Sequence, residues 1–105
     1  MNVNGMDITN AREEFFKIIQ GLPKVKCALI YYEEEGISPL KVGYSEEEWE
    51  NFTRSLDFEY DSGWGGQNLF GVVWFEDGSW LERAEYDGSE WWKHKICPVI
   101  PEELL

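Results

Sequence analysis

The sequence predicts an α+β domain: a twisted antiparallel sheet with a C-terminal three-stranded meander, and two helices packed on one of its faces. Three observations predict it. Two amphipathic stretches each open on a capping pair, Asn10 with Glu13 and Ser45 with Glu48. Two Asp-Gly dipeptides, Asp77-Gly78 and Asp87-Gly88, stand between apolar and aromatic runs. Hydrophobic residues make up 43% of the 105 residues and aromatics 16%, which suffices for one core and makes residues 1–105 a single domain.

Ala11, Phe15, Ile18 and Leu22 recur at helical spacing, with Phe16 and Ile19 widening the stripe, so residues 10–21 are expected to be helical. Gly21 and Pro23 end that helix. CALIYY marks a buried strand from about Val25 to Glu33, and Gly36 turns the chain toward a second strand near Leu40–Tyr44, which Pro39 places at an edge. Ser45 and Glu48 form an S-x-x-E box, after which Trp49, Phe52 and Leu56 set a second helix over residues 46–56. DSGWGGQ, residues 61–67, reads as a glycine-rich loop around an exposed Trp64.

The Asp-Gly dipeptides suggest two-residue type I′ hairpins joining strands 69–75, 79–86 and 90–96. With that loop length, Phe75 faces Trp80, Glu82 faces Lys93 and Ala84 faces Trp91; on the other face Trp74 meets Leu81, Arg83 meets Trp92 and Glu85 meets Glu90. Both faces then carry aromatics, so the tail PVIPEELL or a partner must cover the face that the helices leave open. The tail is expected to pack across the sheet or to fray.

Catalytic and metal patterns are weak. Asp57, Glu59 and Asp61 alternate as in a calcium loop, but Ser62 replaces the required glycine and Asn68 the bidentate glutamate. His94, Cys27 and Cys97 fall short of a zinc set without a carboxylate, and both cysteines read as reduced thiols. Glu82 and Glu85 lie on opposite strand faces and cannot flank one glycosidic bond. No phosphate-binding or nucleophile-elbow motif is present. The expectation is a non-enzyme without cofactor or metal.

Charge is the remaining signal. Net charge is -12, so the chain is not expected to bind nucleic acid directly or to sit on an anionic membrane surface. With no signal peptide or spanning segment, a cytoplasmic protein is expected. The acidity is regional: residues 1–30 carry +1 and residues 31–105 carry -13. The expected partner surface joins Glu33, Glu34 and Glu35 of the hairpin tip, Glu46, Glu47 and Glu50 of the second helix, Asp61, and the aromatics Trp64 and Trp92. Such a surface would present a nucleic-acid-like potential to a basic groove. Its alternative use is an aromatic module, with Trp64, Trp91 and Trp92 stacking on a sugar or peptide.

Over residues 58–101, DSGWGGQ, DGSWLERAEYDGSEWW and CPVIP together make the chain similar to a group of small, functionally unassigned proteins of tailed bacteriophages. No binding residue carries over from that group. The resemblance implies a setting, the host cytoplasm, and a partner, a host protein or complex with a basic groove such as a defence nuclease or other nucleic-acid machine, which a small acidic protein would block. Residues 1–57 show no such resemblance.

Overall fold

A computed structural model of the chain describes residues 8–32, 36–63 and 65–105. Chain order is β1 (Ile8–Asn10), α1 (Ala11–Ile19), β2 (Val25–Tyr32), α2 (Glu46–Ser55), β3 (Glu59–Asp61), β4 (Leu69–Phe75), β5 (Trp80–Tyr86) and β6 (Ser89–Lys95), closed by a 3-10 turn at Glu102–Leu104. The fold is α+β. β2, β4, β5 and β6 form an antiparallel sheet in that spatial order, and β1 pairs with β3 in a separate two-stranded sheet.

Both helices start where the capping residues place them. The Asn10 side chain accepts a hydrogen bond from the Glu13 amide at 3.0 Å. Ser45 and Glu48 complete a reciprocal capping box, with bonds of 3.1 and 3.0 Å. The apolar stripes face each other and the sheet: Phe15 and Phe52 are fully buried, with ring centroids 5.5 Å apart in an edge-to-face arrangement. Ala28, Ile30, Leu69, Val73, Phe75, Leu81 and Trp92 complete the core from the same face of the sheet. Burying each large side chain contributes about 2 kcal/mol.

The β5–β6 register is the expected one, with Arg83 opposite Trp92, Ala84 opposite Trp91 and Glu85 opposite Glu90. Asp87 and Gly88 have φ of 50° and 87°, as a two-residue type I′ turn requires. The β4–β5 register differs from the expectation by one residue: Trp74 lies opposite Trp80 and Val73 opposite Leu81. The loop holds three residues, because Phe75 N donates to Ser79 O while Gly78, at φ 87°, donates back to Phe75 O. Asp77 Oδ1 fixes it by accepting from the Ser79 amide at 2.9 Å and the Ser79 hydroxyl at 2.5 Å. The slip moves Trp74 onto the face of Trp80, Glu82, Ala84 and Trp91, and Phe75 into the core.

One other expectation is corrected, and of the two alternatives for the tail one is excluded. Residues 40–44 form no strand: Leu40 makes a single bridge to Ala28, and the chain then turns at Gly43 into the α2 cap. The tail does not cross the sheet, since every residue from Ile96 to Leu105 is exposed. The β1–β3 pairing of residues 8–10 with 59–61 had no sequence signal.

Candidate functional site

Three features of the surface and subsurface could carry function. The first is the acidic start of α2. Glu46, Glu47 and Glu50 are exposed, and they take this position because Trp49, Phe52 and Leu56 claim the inward stripe. Glu48 is exposed as well and holds the cap; accepting the Ser45 backbone and side-chain bonds keeps its carboxyl below the usual carboxylate range. Among the described residues both ion pairs belong to Arg83, so none of these four carboxylates forms a salt bridge there, although Lys41 is near enough to help lower Glu48. The negative surface ends one turn on, where Arg54 and Arg12 line a depression of about 500 Å³ together with Glu50, Thr53 and Asp57.

The second feature is a buried polar cluster beneath the glycine-rich loop. Glu90, whose side chain is fully buried, accepts hydrogen bonds from the Asn68 amide at 2.7 Å, the Leu69 amide at 2.9 Å and Arg83 Nη2 at 2.8 Å. Arg83 Nη2 also donates to the Tyr60 hydroxyl at 2.8 Å, and that hydroxyl donates to Glu14 at 2.5 Å. The guanidinium lies 4.9 Å over the Trp92 ring, and Arg83 Nη1 stands 3.4 Å from Glu14. Burial pushes the Tyr60 hydroxyl far up from its ordinary value, with Arg83 opposing the shift. Glu90, Tyr60 and Arg83 Nη2 are each committed to another group, while Arg83 Nη1 and Trp92 Nε1 are buried with no hydrogen-bond partner among the described residues. The chemistry of the cluster is that of a clasp joining α1, β3, β5, β6 and residues 68–69.

The third feature is the outer face of the four-stranded sheet. Alternation places Cys27, Leu29, Tyr31, Phe70, Val72, Trp74, Trp80, Ala84, Tyr86 and Trp91 on the side opposite the helices. Tyr31, Phe70, Leu29, Trp91 and Trp74 are 57, 47, 42, 41 and 40% exposed. This is a contiguous apolar surface on a chain of high charge. Its charged groups are few: Glu82, which accepts from Trp80 Nε1 at 2.9 Å, Lys26 beside Cys27 and Trp74, and Lys93 and Lys95 on the β6 edge.

Compared with protein-family models, curated proteins and solved structures, the chain matches none.

Of the residues expected to form the partner surface, Glu46, Glu47 and Glu50 lie together on α2. Asp61 is half-buried in β3, where its Oδ1 accepts the Gly63 amide at 3.0 Å and its carbonyl accepts from Asn68 Nδ2, so it serves the loop. Trp92 was expected to be exposed and is instead 5% exposed in the core, because it takes the inward position of β6, with the Arg83 guanidinium over its ring and α1 beside it; Trp91 takes the outward position. Glu33, Glu34, Glu35 and Trp64 lie outside the described residues. Sequence reading missed the Arg83–Glu90–Tyr60–Glu14 cluster. The available signal was Arg83 opposite Trp92 on the inward face with the Glu85–Glu90 pair one step along, which sets an acid beside a buried arginine. Among the described residues no helix is long and apolar enough to cross a membrane.

Proposed function

We propose that this chain is a non-catalytic inhibitor that uses the acidic face of α2 to occupy a basic groove in a host nucleic-acid-handling or defence complex. The observation that carries the reading is the cluster of exposed carboxylates at the start of α2, none of them in a salt bridge among the described residues. Residues 46–50 hold four glutamates within about 6 Å of helix axis. That density is comparable to the one charge per about 1.7 Å of duplex DNA. Such a surface attracts a phosphate-binding groove over distances near the Debye length, about 8 Å in physiological salt. Encounter is accelerated and phosphate is displaced by occupancy. The regional charge of the sequence supports the same reading.

Capture on the immobilised chain from a bacterial lysate, at low and at high salt, tests it. The expected result is a captured protein that binds nucleic acid on its own, is eluted by salt, and no longer shifts a duplex when saturated with this chain. The Glu46→Gln, Glu47→Gln, Glu50→Gln triple variant should associate at least tenfold more slowly and with weaker salt dependence. Equal binding by the triple variant at low salt would overturn the reading.

The outer sheet face favours the second reading, an aromatic module for a sugar or peptide. Oligosaccharide-dependent shifts in the emission of Trp74 or Trp91 would select it.

A further inference from the structure

The outer face of the sheet and the C-terminal arm are complementary to each other, yet the chain does not bring its own together. From Ile96 to Leu105 every residue is exposed, including Ile96, Val99, Ile100, Leu104 and Leu105. Five aliphatic side chains on ten residues stay outside the core that the described residues form. The sheet offers Leu29, Tyr31, Phe70, Trp74 and Trp91 in the same exposed state. We propose that the arm of one copy seats on the outer sheet face of a second copy, and that the chain forms a two-fold dimer by reciprocal exchange of arms.

Geometry favours exchange over the arm folding back. Residues 96–101 contain no turn, and Pro101 has φ -61° and ψ 146°, an extended polyproline conformation. Cys97 and Ile100 each precede a proline, which biases them toward extended backbone too. An arm stiffened in this way leaves the β6 edge without the tight reversal that a return to its own sheet demands. At about 3.1 Å per residue its extended part, residues 96–101, reaches about 19 Å before the 3-10 turn at Glu102–Leu104. The sheet is about 19 Å across four strands and about 23 Å along them. Two such faces and two arms approach the roughly 800 Å² per partner that stable interfaces bury.

Charge points the same way. The arm carries Glu102 and Glu103, and the face is bordered by Lys93 and Lys95, which form no ion pair among the described residues although Glu82 stands opposite Lys93. On a chain of net charge -12 two copies repel, so a lysine-rimmed face is the surface on which an acidic arm can approach. In the dimer both α2 helices remain outside, because they cover the opposite face of each sheet. The association is thus independent of the inhibitor reading and survives its failure.

The test is sedimentation equilibrium across a dilution series, with circular dichroism as the check of folding. The wild-type chain should weigh twice 12.3 kDa. Deleting residues 97–105, all exposed, should give a folded monomer, as should Trp74→Glu. Mixing those two should restore a dimer, because one intact arm and one intact face remain. The pair Glu102→Lys, Glu103→Lys should raise the dissociation constant more than tenfold, and Lys93→Glu, Lys95→Glu supplied on the other copy should restore it. A wild-type chain that stays monomeric throughout would overturn the proposal. So would an arm-deleted chain that remains dimeric. If Trp74→Glu does not fold, the deletion and the charge exchange decide the matter.

Discussion

Glu90→Ala is the perturbation that the structure makes most quantitative. The carboxylate it removes is fully buried and accepts three bonds, from the amides of Asn68 and Leu69 and from Arg83 Nη2. Hydrogen bonds to a charged group contribute about 1.5–3 kcal/mol each, and breaking a buried ion pair costs about 3–5 kcal/mol. The lower end applies, because Arg83 is not left alone: Nη2 keeps the Tyr60 hydroxyl, Nε keeps Leu69 O at 3.3 Å, and Glu14 stays 3.4 Å from Nη1. The expected loss is about 3 kcal/mol, a large part of the 5–15 kcal/mol typical of a domain. Urea unfolding with a slope near ~1.5 kcal/mol/M should show the midpoint falling by about 2 M. Hydrogen exchange should show the Asn68 and Leu69 amides losing protection beyond the global change. Combined with Arg83→Met, the loss should be well short of additive, since the uncompensated cation is gone. A Glu90→Ala chain within about 0.5 kcal/mol of wild type, with both amides still protected, would refute the clasp.

Gly71 sits at φ 150° in β4, and a Cβ there would come within 2.5 Å of Leu29 O and 2.8 Å of Ile30 Cα, so Gly71→Ala should cost at least about 2 kcal/mol in thermal melts by forcing β2 from β4. Tyr60 is held protonated well above its usual 10.0, chiefly by burial, whereas the unfolded tyrosine ionises near that value. Its stabilising contribution is therefore complete below pH 10 and declines as pH rises further; urea midpoints should fall over that range, and Tyr60→Phe should flatten the decline. Ser45→Ala removes the acceptor of the Glu48 amide and should cost about 1 kcal/mol of stability, measured by urea unfolding, with Glu48 titrating closer to its ordinary value.

Local signals determined the helices, because caps act over three residues: Asn10 with Glu13 and Ser45 with Glu48 are chemistry that a short window contains in full. The β5–β6 hairpin was legible for the same reason, its Asp87-Gly88 turn fixing the pairing of seven residues. The identical dipeptide at Asp77-Gly78 misled, because the choice between two and three loop residues depended on Ser79 capping by Asp77 and on a bond from Glu76 N to Lys24 O, 52 positions back in the chain. That one residue exchanged the faces of Trp74 and Phe75. Alternation told Trp91 from Trp92 but could not say which was inside, since both are tryptophan and only the packed helices decide. The acidic start of α2 could be read from composition and helical spacing alone. The Arg83–Glu90–Tyr60–Glu14 clasp could not: it joins residues as far apart as 14 and 83, and a buried charge inverts the polar-outside pattern on which sequence reading depends. Short-range bonding and periodicity are properties of the chain, whereas register, the choice of inner face and the partners of a buried charge are settled only when distant segments compete for the same space.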